Sequence, residues 1–162
     1  MTINSVPRRQ LRFNDLDEVV RDSEALLAKG YDRAGKWDLA QCCSHLAEWL
    51  RFPVEGFPKV PAPIQAMLWM MRKTIGRKKL LTYIGTQSFP AGKPTMPQTV
   101  FSPGGDTAKA VADLRTNVER LKAHNGAIVP SPLFGPMTKD EAVRMQLVHC
   151  AHHLSFLVPK RN

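Results

Sequence analysis

The chain has no apolar run long enough to cross a bilayer, and its first twenty residues hold Arg8, Arg9 and Arg12 with no apolar stretch behind them. Neither a transmembrane helix nor a secretory signal is expected, and the cytoplasm is the expected location. Cysteine is scarce: Cys42, Cys43 and Cys150 are odd in number and two are neighbours. That argues against a disulfide framework and for small buried apolar side chains in a reducing compartment. There are only two tyrosines, no glycine-flanked aromatic motif and no zinc-finger spacing, so specific nucleic-acid binding has no support beyond charge. Gly104-Gly105 is too little glycine for a phosphate loop, and no nucleophile-elbow sequence supports Ser-His-Asp catalysis.

Acidic residues are missing altogether between Gly56 and Gly105, where Lys59, Arg72, Lys73, Arg77, Lys78, Lys79 and Lys93 supply +7 of the net +9. Such a segment either receives an anionic partner, whether a substrate carboxylate, a phosphate or a lipid headgroup, or is a solvated basic face.

What is present reads as one all-α domain. At 162 residues the chain can bury a core without a metal to hold it together, so a bound ion would speak for function rather than scaffolding. Residues 1–13 read as an extended arm, because Pro7 and the arginines offer no periodic apolar face. Apolar spacing at Leu16, Val19, Val20, Leu26 and Leu27 predicts a first helix from an Asn14 cap to Gly30. A second follows the Asp38/Gln41 capping box, with Pro53 ending or kinking it. Pro58, Pro61 and Pro63 make a rigid connection to a short third helix, Ile64 to about Ile75, apolar on nearly every side and so either deeply buried or in contact with something outside the domain. Residues 77–105, rich in proline and glycine from Thr82 onwards, read as a long loop. A fourth helix starts at Asp106 or Thr107 and closes at Asn125-Gly126, and the Thr138/Glu141 capping box starts a last helix from Lys139 to near Val158.

On that last helix, Ala142, Met145, His149, His153 and Phe156 share one stripe, since residues four apart differ by about 40°. The stripe is apolar apart from its histidines, which places both imidazoles inward. His45, on the second helix with Cys42, Trp49 and Phe52, also falls on an inward face. Buried histidines are often hydrogen-bonded packing residues, but if these two helices are neighbours three imidazoles converge and can share a metal ion, with coordination positions left for water or substrate. Cys42 could reach as a fourth ligand, and Glu48 is the candidate acceptor or general base. His152 points about 100° away from His153; a backbone hydrogen bond or a place at the mouth of the site suits it better.

The segments Gly35-Lys-Trp37-Asp-Leu-Ala-Gln-Cys-Cys-Ser-His45-Leu-Ala-Glu48, Leu133-Phe-Gly-Pro-Met-Thr138 and His149-Cys-Ala-His-His153-Leu resemble the DinB-like metal-binding superfamily, in a bacterial branch with no assigned activity. The likeness runs from about Arg9 to Leu157. It implies a DinB-like four-helix bundle of unusual connectivity, here with an extra short helix and a long Pro-rich loop between the second and fourth helices. It also implies a divalent metal on His45, His149 and His153, zinc or nickel being suited to imidazole ligands. Related enzymes use such a metal with a low-molecular-weight thiol, as S-transferases or isomerases.

Two functions therefore compete. One is a metal-dependent enzyme, a thiol S-transferase or a hydrolase acting on a small molecule, with Glu48 handling the proton. The other is a binding module at an anionic membrane surface, for which Met67-Leu-Trp-Met-Met71 followed by Arg72-Lys-Thr-Ile-Gly-Arg77-Lys-Lys79 has the composition. Nothing in the sequence decides whether the chain forms a homodimer.

Overall fold

The computed structural model describes residues 6–160. The expected arm therefore lies partly outside the described residues, at positions 1–5; over 6–13 it has neither helix nor strand. It is strapped down rather than loose. Arg9 donates two hydrogen bonds to the Asp22 carboxylate, at 2.8 and 2.6 Å, its backbone N–H reaches the Ser155 carbonyl, and Phe13 is buried in the core.

Helix α1 spans Leu16–Lys29 and its cap is Asp15, not Asn14: the Asp15 carboxylate accepts from the Glu18 N–H at 2.8 Å. Asn14 stands one residue too early to reach that donor, and its own N–H goes to the Glu18 carboxylate. Gly30, at φ 75°, ends the helix and starts strand β1, Tyr31–Arg33. Helix α2, Leu39–Glu55, opens on the expected Asp38/Gln41 box and carries Pro53 inside its last turn rather than stopping there.

Helix α3, Ala62–Met71, has no buried residue. A π-helical turn, Arg72–Gly76, links it directly to helix α4, Arg77–Thr86. The expected loop over 77–105 is thus corrected in its first third. Leu80 and Ile84 bury themselves with Met145 of the last helix, flanked by Tyr83, Phe89, Phe134 and Met137, and that small second core holds the segment helical. Gly76 makes the crossing feasible, because a Cβ there would lie 2.2 Å from the Leu133 carbonyl oxygen. The remaining loop includes a single 3₁₀ turn, Pro97–Thr99.

Helix α5, Thr107–Ala123, is capped by Asp106, and helix α6, Lys139–Leu154, by the Thr138/Glu141 box. Helix α6 stops four residues short of the expected Val158, because Leu157–Pro159 form strand β2, antiparallel to β1. The main core joins Leu26 of α1, Leu46 and Leu50 of α2, Leu114 and Val118 of α5 and Leu154 of α6. The result is mostly helical with one small two-stranded sheet. It lays α2 against α6, so His45 faces His149 and His153.

Candidate metal centre

His45 enters the interior from the second turn of α2 and is fully buried. Its Nδ1 lies 2.9 Å from the Thr99 carbonyl oxygen in the 3₁₀ turn. A carbonyl only accepts, so Nδ1 carries the proton and Nε2 is left as a bare lone pair. A backbone carbonyl behind a histidine fixes the ring's tautomer and direction, as it does for metal-ligating imidazoles.

That lone pair points at α6. His45 Nε2 is 3.2 Å from His149 Nε2, which is 3.1 Å from His153 Nε2. The spacing of four residues puts His149 and His153 on one face, and the proximity of α2 brings in the third ring.

Hydrogen bonding alone cannot satisfy this trio. If His149 Nε2 carries a proton and donates to His45, it has no lone pair to offer His153. If it is the acceptor from His153, its lone pair faces that of His45. Charging the rings is disfavoured. Burial pushes His45 down to about 4 against the opposing pull of its Thr99 hydrogen bond. Burial and then the nearby His45 push His153 down to about 2, and His149 is held well below the usual histidine range by burial and by both neighbours. Near neutral pH all three are neutral, the form in which imidazole binds metals. A cation among them would meet a lone pair from each. The separations of 3.1 and 3.2 Å are close to the ligand–ligand edge of roughly 3.3 Å that a tetrahedral set implies with metal–nitrogen bonds of about 2.0–2.1 Å. The three nitrogens can hold a metal ion on the geometry of the donors alone.

Aromatic walls surround them. Trp37 stacks on His153 with centroids 5.1 Å apart and meets His45 edge-on, while Trp49 and Phe89 meet His149 at near-right angles. The Trp49 indole N–H is buried and has no hydrogen-bond partner among the described residues. An unpaired buried donor is uncommon, and this one belongs to a ring lying against His149.

His152 is not part of the trio. Its Nδ1 is 3.3 Å from Arg8 Nη2, which can only donate, and its ring meets Phe89 edge-on. Arg8 also donates to the Ser155 hydroxyl and lies over the Phe156 ring, which puts a guanidinium beside the histidine cluster.

Two expected residues stand elsewhere. Glu48, proposed as proton carrier, has its carboxylate on Arg51 and lines a groove between α2 and α5 with Ser44, Asp113 and Asn117. Three residues beyond His45 is about 60° around the helix, enough to turn it towards α5. Cys42 directs its Sγ, at 4.0 Å, towards the His153 carbonyl rather than the ring nitrogens, and burial pushes its thiol far up, so it stays protonated. The sequence carries no side-chain signal for Thr99, which acts through its backbone, or for Phe89, which the loop delivers.

A family model described as "Protein of unknown function (DUF1569)" matches residues 5–160, and the chain belongs to that family. Among curated proteins and among solved structures, nothing matches.

Proposed function

We propose that this protein is a divalent-metal-dependent enzyme of small-molecule chemistry, with one zinc or nickel ion on His45, His149 and His153. The observation that carries the reading is the three converging Nε2 atoms, one of them oriented by the Thr99 carbonyl. The DinB-like resemblance supports the reading, since it implies one histidine from the second helix and two from the last; on this reading α1, α2, α5 and α6 are the four rods of the bundle.

The reaction class proposed is transfer to or from a low-molecular-weight thiol, with hydrolysis as the variant in which water replaces the thiol. A bound metal of this kind would supply acidification of a coordinated thiol or water near neutral pH. The chain's own groups do the rest. Thr99 holds the His45 ring so that its lone pair faces inward. Trp37, Trp49 and Phe89 wall off water and offer apolar surface to a substrate. The unpaired Trp49 N–H is available to an acceptor on that substrate, and Arg8 at the rim suits a carboxylate. With Glu48 committed to Arg51, proton transfer falls to the substrate itself or to solvent at the rim.

Metal analysis of protein purified without an affinity tag tests the first step. About one equivalent of a divalent metal, lost in His149→Ala, is expected for a site of three protein ligands. Less than about a tenth of an equivalent, unchanged after adding zinc or nickel, overturns the reading.

A further inference from the structure

Helix α3 is apolar on almost every side, Gln65 being its only polar side chain, yet none of its residues is buried. Ile64, Met67, Trp69 and Met70 are 43%, 49%, 58% and 56% exposed, and the helix packs extensively only on the turn that follows it. Its side chains Ile64, Met67, Leu68, Met70 and Met71 share about 160° of the circumference, over a length of about 15 Å, with Trp69 and Gln65 on the opposite side. A surface this apolar and this contiguous is a contact site rather than ordinary scattered exposure.

The segment is not a floppy end. Gly76 sits directly against the Leu133 carbonyl, Arg77 is clamped on Glu141 by hydrogen bonds of 3.0 and 2.5 Å, and Leu80 and Ile84 anchor the continuing helix in the second core. Helix α3 is therefore held out from the body by a fixed base.

Charge indicates what covers it. Lys59 precedes the helix, and Arg72, Lys73, Lys78 and Lys79 follow it. Arg77 is paired with Glu141, but no ion pair is formed by those five among the described residues, in a stretch with no acidic residue of its own. A second copy of this chain is a poor partner, because a two-fold contact sets each patch against itself and brings these cations together. An anionic leaflet offers both things the patch lacks, apolar depth for the methionines and negative headgroups for the flanking cations.

We infer that α3 with its basic flanks is a docking surface for anionic lipid bilayers, on which the protein sits peripherally. Among the described residues no helix is long and apolar enough to cross a membrane, so the contact is interfacial.

Flotation of the whole chain with phosphatidylcholine vesicles, with and without about 30% phosphatidylglycerol, tests this at low ionic strength. At least about ten-fold more protein should float with the anionic vesicles. The double variant Met67→Ser/Met70→Ser, at side chains 49% and 56% exposed on that stripe, should keep the wild-type melting temperature and lose flotation. No flotation of the wild type overturns the inference. So does undiminished flotation of the double variant, which would mean charge attraction only. So does a dimer in sedimentation that the double variant abolishes without any vesicle binding, which would make the face a self-association surface.

Discussion

Gln146 of α6 supplies the donor that Pro53 of α2 withholds. Within a helix the N–H of residue 53 would bond the carbonyl of Trp49; proline has none, and the Gln146 side-chain amide donates to that carbonyl instead, at 2.9 Å. The bond ties together the two helices that carry the histidines, at Trp49, whose ring packs against His45 and His149, and three residues before His149. Replacing Gln146 by Leu should cost about 1–3 kcal/mol, the usual penalty for stranding a buried acceptor. In Pro53→Ala the restored N–H makes the glutamine redundant. A denaturant-based double-mutant cycle should then give a coupling on the order of 1 kcal/mol between positions 53 and 146. Additive effects would show that the carbonyl does not need the amide.

Gly76 is the most tightly packed of the described glycines. A Cβ at this position would approach the Leu133 backbone oxygen to 2.2 Å, and backbone cannot move aside as a flexible side chain can. Gly76→Ala should destabilise by about 1–3 kcal/mol despite alanine's better helix propensity. Gly85 lies nine residues further on, in α4, with open space around its Cβ position, so Gly85→Ala should be neutral or stabilising. Thermal melts of the two variants check the contrast, and equal melting temperatures would contradict the close packing.

Those two sites also mark where local sequence information stops. The Asp38/Gln41 and Thr138/Glu141 boxes are legible because both partners lie three residues apart, and the His149/His153 stripe because helical spacing is local too. That α2 lies beside α6 has no local trace; the inward face of His45 and the resemblance suggest the grouping, and the packing of α2 on α6 supplies it. Helix α4 is hidden: Leu80 and Ile84 gain their burial from Met145 and Phe134, more than forty residues away. The last helix yields to β2 because three residues pair with Tyr31–Arg33, a contact without local trace. The Thr99 carbonyl leaves no mark in the sequence, since any residue there has one. Glu48 misleads through its proximity in sequence, as its carboxylate belongs to Arg51.

The two adjacent histidines should behave differently. His149 Nε2 stands between the other two ring nitrogens, so His149→Ala should abolish stoichiometric zinc binding, a loss of at least about 100-fold in affinity. His152 has its ring engaged by Arg8 and by the edge of Phe89, and His152→Ala should weaken binding by less than about ten-fold. Because the metal-free trio holds an unsatisfied nitrogen–nitrogen contact, His149→Ala should melt no lower than the wild type without metal and well below it with zinc added. Calorimetric titration and paired melts measure both. Similar zinc affinities for the two variants would place the ion elsewhere.

The metal-free protein should be sensitive to mild acid. His45 and His153 have folded values lowered to about 4 and about 2, and His149 is also well below its ordinary value, burial being the main cause in each. In the unfolded chain the same rings titrate near 6.5. Below that pH the unfolded state binds protons that the folded state refuses, so the equilibrium moves towards unfolding as pH falls. The stability these neutral rings contribute is complete above about 6.5 and is lost progressively towards 4. Each ring contributes at most about 1.4 kcal/mol per pH unit, less where part of it meets solvent. The urea midpoint of metal-free protein should therefore fall steeply between about pH 7 and pH 5. His45→Gln, which removes one titrating ring, should flatten the fall. A midpoint constant over that range would mean that the imidazoles are not buried as a neutral cluster.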